Sequence, residues 1–236
     1  MVTSFEHVRD NLAAAMEAIE RAAGSVGRDP GEVRVVAVTK NHPPQAVRAA
    51  AQAGIRIVGE NRVQEAMEKR RELQDLDVQW IMIGHLQRNK VRKALETFHQ
   101  VHTVDSLELA SSLNRVLMET PDARCPVLME VNISGEASKH GVSPDLAQPL
   151  GEMILSRCER LELRGLFGVG PLVDDQARIR ASFASLRRLR DQLEAALGIH
   201  LPELSMGMSS DYPLAVMEGS TMVRLGTCLF GPRRGF

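Results

Sequence analysis

Apolar, β-branched runs alternate along this chain with stretches in which apolar residues recur at helical spacing. Near the start, Phe5, Val8, Leu12, Met16 and Ile19 predict a helix over 4–23, with Gly24 as its stop. Strand-like runs follow at 33–39, 55–58, 78–83, 101–104, 126–133, 161–169, 203–207 and 222–225. Between them lie helical stretches at 43–53, 61–74, 88–98, 106–119, 144–159 and 174–197, with a shorter one at 212–218. Read as βα units, these strands pair in parallel and carry their helices outside. An open doubly wound sheet and a closed barrel both satisfy that order. The count of strands favours an α/β fold of the (β/α)8 TIM-barrel type with an extra N-terminal helix. No GxGxxG follows the first strand to mark a dinucleotide site. With no Pro/Gly/Ser-rich linker to divide it, the chain reads as one domain over 1–236.

Composition narrows the function classes. Lys plus Arg number 29 and Asp plus Glu 30, so the net charge of −1 gives no overall pull toward nucleic acid or anionic membrane. Cys125, Cys158 and Cys228 are scattered and odd in number, which argues against a disulfide framework and fits a reducing cytoplasm. The first residues carry Glu6, Arg9 and Asp10, unlike a secretory signal, and no apolar run approaches the roughly 20 residues that cross a bilayer. His42, His85, His99, His102 and His140 stand at no shared ligand spacing and there is no HExxH, so no metal site is expected.

In a parallel barrel, chemistry gathers where strands end. The first strand ends at Lys40, just before Asn41-His42-Pro43-Pro44. An ammonium there is costly to bury, so the group is expected to titrate downward toward the neutral amine that condenses with an aldehyde. Position alone equally describes a lysine snorkelling to solvent. The later strands end in Gly59-Glu60-Asn61, Gly84-His85-Leu86-Gln87-Arg88-Asn89, Asp105-Ser106 and Asn132. Asp105-Ser106 also serves as an ordinary helix cap. Strand seven ends in Met206-Gly207-Met208-Ser209-Ser210-Asp211 and strand eight in Arg224-Leu225-Gly226-Thr227. Glycines and hydroxyls after the last two strands fit the recurrent phosphate site of such barrels, though two tight turns would read the same way. Taken with Lys40, the pattern asks for an aldehyde that carries a phosphate.

The segments AVTKNHPP, GENRVQEA, WIMIGHLQRNK, VHTVDS, MEVNISGEASKHG, LSMGMSSD and GSTMVRLGTCLFGPR occur in this order between about residues 33 and 233. In this the chain resembles the pyridoxal-phosphate homeostasis family, barrel relatives of the alanine racemase N-terminal domain. The resemblance implies pyridoxal 5′-phosphate as cofactor, held by Lys40 as an internal aldimine, with Asn61 near the ring. It places Ser209 and the amides around Gly226 and Thr227 at the phosphate, Arg224 at the pyridine nitrogen, and Met208, His85 and Asn132 along the pocket. Two positions depart from the family: Arg62 stands where an aromatic residue is usual, and Phe167 where Gly-Leu-Met is common. They bear on the outer wall of the pocket.

Racemases need a base on each face of the planar carbanion, and alanine racemases take a tyrosine from a second domain. No part of this chain reads as that domain, and its single tyrosine, Tyr212, reads as a cap or packing residue. The resemblance therefore implies a cytoplasmic protein that buffers and delivers the cofactor, with apoenzymes that use it as partners and a monomer as the default, a dimer remaining open. The alternatives are a racemase or related enzyme aided by a partner chain, a Schiff-base aldolase acting through Lys40, and a barrel that binds another phosphorylated metabolite without covalent attachment.

Overall fold

The computed structural model describes residues 5–136 and 139–232; Ser4, where the first helix was expected to begin, lies outside them. Eight parallel strands close into a barrel in the order in which they occur along the chain. They are β1 (Arg34–Val38), β2 (Ile57–Glu60), β3 (Gln79–Met82), β4 (Gln100–Val104), β5 (Cys125–Val131), β6 (Leu161–Gly168), β7 (Glu203–Met208) and β8 (Met222–Leu225). Outside them run α2 (Pro44–Gln52), α3 (Val63–Glu72), α4 (Val91–Thr97), α5 (Leu107–Leu117), α6 (Pro144–Arg157), α7 (Gln176–Leu197) and α8 (Tyr212–Met217). The extra N-terminal helix, α1 (Val8–Gly24), buries Val8 and Ile19 in a cluster with Val216, Leu229 and Phe230. The open doubly wound sheet is excluded by the β1–β8 ladder, which pairs Arg34 with Met222 and Ala37 with Leu225.

Local chemistry sets the helix ends. Ser106 caps α5 by accepting from the Leu109 amide, and Asp175 caps α7 by accepting from Ala177 and Arg178. Gly198 closes α7 in the left-handed conformation. Two elements differ from the sequence reading. The helix expected over 88–98 is a 3-10 turn at Arg88–Lys90, with no buried residue, followed by α4, whose first residue Val91 is buried. A last short helix, α9 (Thr227–Phe230), follows β8; four residues are too few to show a period.

Side chains inside the barrel are both apolar and polar. At the strand starts Arg34 pairs with Glu203 at 3.3 Å. Val36, Ile57, Ile81 and Met222 form a small apolar cluster, separate from the larger cluster between strands and helices. The polar side chains of His102, Glu130, Ser205 and Arg224 are buried as well, and Arg224 lines the cavity at the barrel mouth. Among the described residues no helix is long and apolar enough to cross a membrane.

Candidate functional site

Lys40 follows β1 in a turn that is fixed on both sides. On one side, the buried Thr39 donates from Oγ1 to Glu60 Oε1 at 2.6 Å, and its carbonyl accepts from Lys69 Nζ at 2.7 Å. On the other, the Asn41 amide donates to Glu65 Oε1 at 2.7 Å, with Asn41 in the left-handed region at φ 59°. Lys69 joins the two halves, donating also to Glu60 at 2.6 Å and Glu65 at 2.7 Å. Glu60 is fully buried; burial pushes its carboxyl up and the Lys69 ammonium pulls it back down. Lys40, half-buried, extends into a cavity of about 700 Å³ at the mouth of the barrel. Such a volume suits a small organic ligand.

The last two strands supply the opposite wall. Gly207 has φ +92°, and a Cβ there would lie 2.6 Å from that of Ala215, so only glycine lets α8 approach β7 so closely. The turn that follows is closed by Asp211, which accepts from the Met208 amide at 2.6 Å. This aims Ser209 at the loop after β8, where its Oγ accepts from the amides of Gly226 and Cys228, both at 3.2 Å. Two backbone N–H groups converging on one oxygen are the elements of an anion nest.

Arg224 lies beneath. Its Nη1 donates to Ser205 Oγ at 2.9 Å and its Nη2 to the Gly168 carbonyl at 2.8 Å, while the guanidinium carbon sits 4.1 Å from the centre of the Phe167 ring. Phe167, the residue that departs from the family pattern, is thus a cation–π platform for the arginine. Burial brings Arg224 down to about 10, opposed by the charges of Asp211 and Glu130. Burial, and after it the Asp105 charge, pushes Glu130 up to about 7; one of its oxygens has no hydrogen-bond partner. His102 is driven down to about 3 by burial and stays neutral.

Lys40, Asn61, Met208, Ser209, Arg224, Gly226 and Thr227 all line this one cavity. Asn61 is seated by Gly84, where a Cβ would fall 2.4 Å from the Asn61 carbonyl oxygen, and its own buried Oδ1 has no partner. His85 and Asn132 are not among the lining residues. Asn132 organises the loop after β5, donating to the carbonyls of Glu136 and Lys139 and accepting from Ser134. His85 points elsewhere: its ring stacks on His140 with centroids 4.2 Å apart, and its Nδ1 lies 3.7 Å from Asp105. His85, Asp105 and His140 thus come together, with one ligand atom of each within 4.8 Å of the others, although nothing in their sequence spacing shows it. Tyr212 packs in the cluster with α1 rather than lining the cavity. Sequence reasoning placed Glu60 at a strand end without giving it a role and missed Glu65 and Lys69; the available signal was those two residues one helical turn apart, shortly after Glu60-Asn61.

The barrel and its cavity have known counterparts. The sequence profile of the alanine racemase N-terminal domain matches residues 9–234. A pyridoxal phosphate homeostasis protein of Pseudomonas aeruginosa is 43% identical over 228 residues, covering 96% of each chain. The solved structure of PipY from Synechococcus elongatus, with PLP bound, aligns with a TM-score of 0.78 at 43% identity, over 91% of this chain and 100% of that one. A protein of unknown function from Bifidobacterium adolescentis aligns at a TM-score of 0.87 with 35% identity, over 95% of each chain. The chain belongs to the alanine racemase N-terminal domain family and, within it, to the pyridoxal phosphate homeostasis proteins.

Proposed function

We propose that this chain binds pyridoxal 5′-phosphate and serves to store and hand over that cofactor, with little or no turnover of its own. One observation carries the reading: the Lys40 amine and a pair of backbone amides converging on the Ser209 hydroxyl line the same cavity. The Pseudomonas relative's name and the ligand bound to PipY support it. The donor set fits the cofactor: an amine for its aldehyde, N–H groups for its phosphate, and a buried orphan acceptor on Asn61 for a hydroxyl or N–H. When bound, the cofactor supplies an electrophilic carbonyl and a conjugated ring.

The chain's own residues then have distinct tasks. Lys40 attaches the aldehyde covalently, its backbone held on either side by Lys69 and Glu65. Ser209 and the amides of Gly226 and Cys228 hold the phosphate, with Thr227 beside them. Arg224, with two of its five N–H groups committed to Ser205 and Gly168, keeps others for the pyridine nitrogen. A permanent cation there opposes protonation of that nitrogen and weakens the ring as an electron sink. Tyr212, packed away from the cavity, is not the second base that racemisation requires. Acceptor apoenzymes in the cytoplasm are the partners this reading calls for.

The test is an ultraviolet–visible spectrum of freshly purified protein before and after borohydride, followed by peptide mass analysis. The expected result is a visible band that reduction abolishes, with the adduct on Lys40 and no band in Lys40→Ala. An adduct on another residue, or racemisation of amino acids at ordinary enzyme rates, would overturn the assignment.

A further inference from the structure

Beside the cofactor cavity, between the end of β2 and the turn leading to α4, lies a second hollow of about 330 Å³. Arg62, Lys90 and Lys93 line it together with Asn61, Gln64 and His85, and no carboxylate is among its lining residues. Among the described residues none of these three cations has an ion pair or a side-chain hydrogen bond. That is unlike the larger arginine-lined cavity of about 660 Å³ at the opposite end of the barrel. There Arg28 pairs with Glu32 at 3.1 Å, Arg34 with Glu203 at 3.3 Å, Arg187 with Glu218 at 3.7 Å and Arg190 with Asp191 at 2.7 Å. The far cavity is neutralised by its own carboxylates; the hollow beside the site is not. Arg62, Lys90 and Lys93 are solvent-exposed, so their mutual repulsion is screened, but together they give one concavity a positive potential that attracts an anion.

The backbone points the same way. Arg62 is the N-cap of the ten-residue α3 and supplies no side-chain cap, so the first-turn amides have no side-chain acceptor at the cap. Residues 62–64, the first of that helix, are part of the wall. The start of α3, which carries partial positive charge and has Glu65 as the acid in its first turn, thus lies at the wall that the cations line. Asn61 lines both this hollow and the cofactor cavity.

We propose that this hollow binds a phosphate monoester dianion non-covalently, at a site separate from the cofactor cavity but sharing the Asn61 wall. Charge and shape select that class. A guanidinium, two ammonium groups and helix N–H groups match a doubly charged, tetrahedral set of acceptor oxygens better than a single carboxylate. The volume admits a phosphate with a small organic group. The site does not require Lys40 and stands whether or not the cofactor is held covalently. Its ligand is either a phosphorylated vitamer passing the mouth of the barrel or another small phosphate.

The test is calorimetric titration of the full chain, in phosphate-free buffer, with pyridoxine 5′-phosphate, which has no aldehyde, and separately with inorganic phosphate. Two binding events are expected with pyridoxine 5′-phosphate. Ser209→Ala should weaken one, and the double variant Arg62→Gln/Lys90→Gln should weaken the other at least tenfold. Arg92→Gln, which removes an α4 cation already paired with Glu119 at 2.7 Å, should change neither. Tighter binding of the vitamer than of inorganic phosphate assigns the site to the vitamer; equal affinities assign it to the phosphate group alone. A double variant that folds and binds like wild type, or a single binding event that the double variant leaves unchanged, would overturn the proposal. A single event that the double variant alone weakens would count against the cofactor cavity instead. Lys93→Gln provides a second reading of the same site at an exposed residue whose side chain makes no hydrogen bond or ion pair among the described residues.

Discussion

At the scale of single residues, the Ser209 hydroxyl rests on two converging backbone amides, the donor pair of an anion nest. Its Oγ accepts from both, so a phosphate taking up those same amides would have to displace that oxygen and use its hydroxyl as a donor. Ser209→Ala removes a charge-assisted donor but also removes the competing acceptor. The two effects oppose, and the net loss of affinity should be modest, on the order of 1 kcal/mol, or about fivefold. Fluorescence or absorbance titration with pyridoxal 5′-phosphate checks this, and unchanged affinity would move the phosphate elsewhere. Residues differ in how far the sequence alone reveals them. Lys40 is legible because a charged residue ending a buried β-branched run is chemically conspicuous. Ser209 and Gly226 are legible as small polar residues at strand ends, but their mutual hydrogen bond joins β7 to β8 across 17 positions and only the closed barrel brings it about. His85 and Asn132 sit at strand ends too, and nothing in their neighbours says that one turns toward His140 and the other into its own loop.

At the scale of elements, α3 is more than a cover for β2 and β3. Its Lys69 passes under the Lys40 turn and is 4% exposed, holding Glu60, Glu65 and the Thr39 carbonyl at once. From sequence, Glu65 and Lys69 read as a routine surface pair worth a few tenths of a kcal/mol; burial makes the pair into a clamp. The sequence locates the helix by its period, whereas the depth of one lysine depends on how α3 tilts against the barrel, which no local pattern encodes. Lys69→Met should leave Glu60 buried with no cation and cost about 3–5 kcal/mol in urea unfolding. Adding Glu60→Gln should recover part of that loss, because a neutral amide tolerates the dry site better than a carboxylate. Where the double variant folds, its Lys40 turn lacks the tie to Thr39, so cofactor retention should fall even as stability returns. Full retention in the recovered variant would show that the clamp supports the fold and not the site.

For the whole molecule, the barrel interior sets how stability depends on pH. Beside an apolar cluster of Val36, Ile57, Ile81 and Met222 it buries Glu130, His102 and Arg224, with Asp211 buried just beyond β7. Glu130 titrates near 7 when folded against an ordinary 4.5, so between those values the folded chain holds a proton that the unfolded chain has lost. Stability therefore falls as pH rises from about 4.5 to about 7, by an amount on the order of 3 kcal/mol for the group taken alone. Asp211, also pushed up by burial, adds to this in the same sense. His102 works in the opposite one. Held at about 3 in the fold against 6.5 outside it, its contribution is lost as pH drops below about 6.5. The two slopes oppose between about 4.5 and 6.5, so this pair gives a plateau there, with stability lost below it through His102 and above it through Glu130. Glu130→Gln removes the upper limit: the variant should match wild type near pH 4.5, gain on it progressively as pH rises toward 7, and be the more stable of the two at pH 8. Chemical denaturation of cofactor-free protein across pH 4.5–8 measures this directly. Parallel curves for the variant and wild type would mean that Glu130 is charged throughout, with Arg224 rather than a proton as its partner.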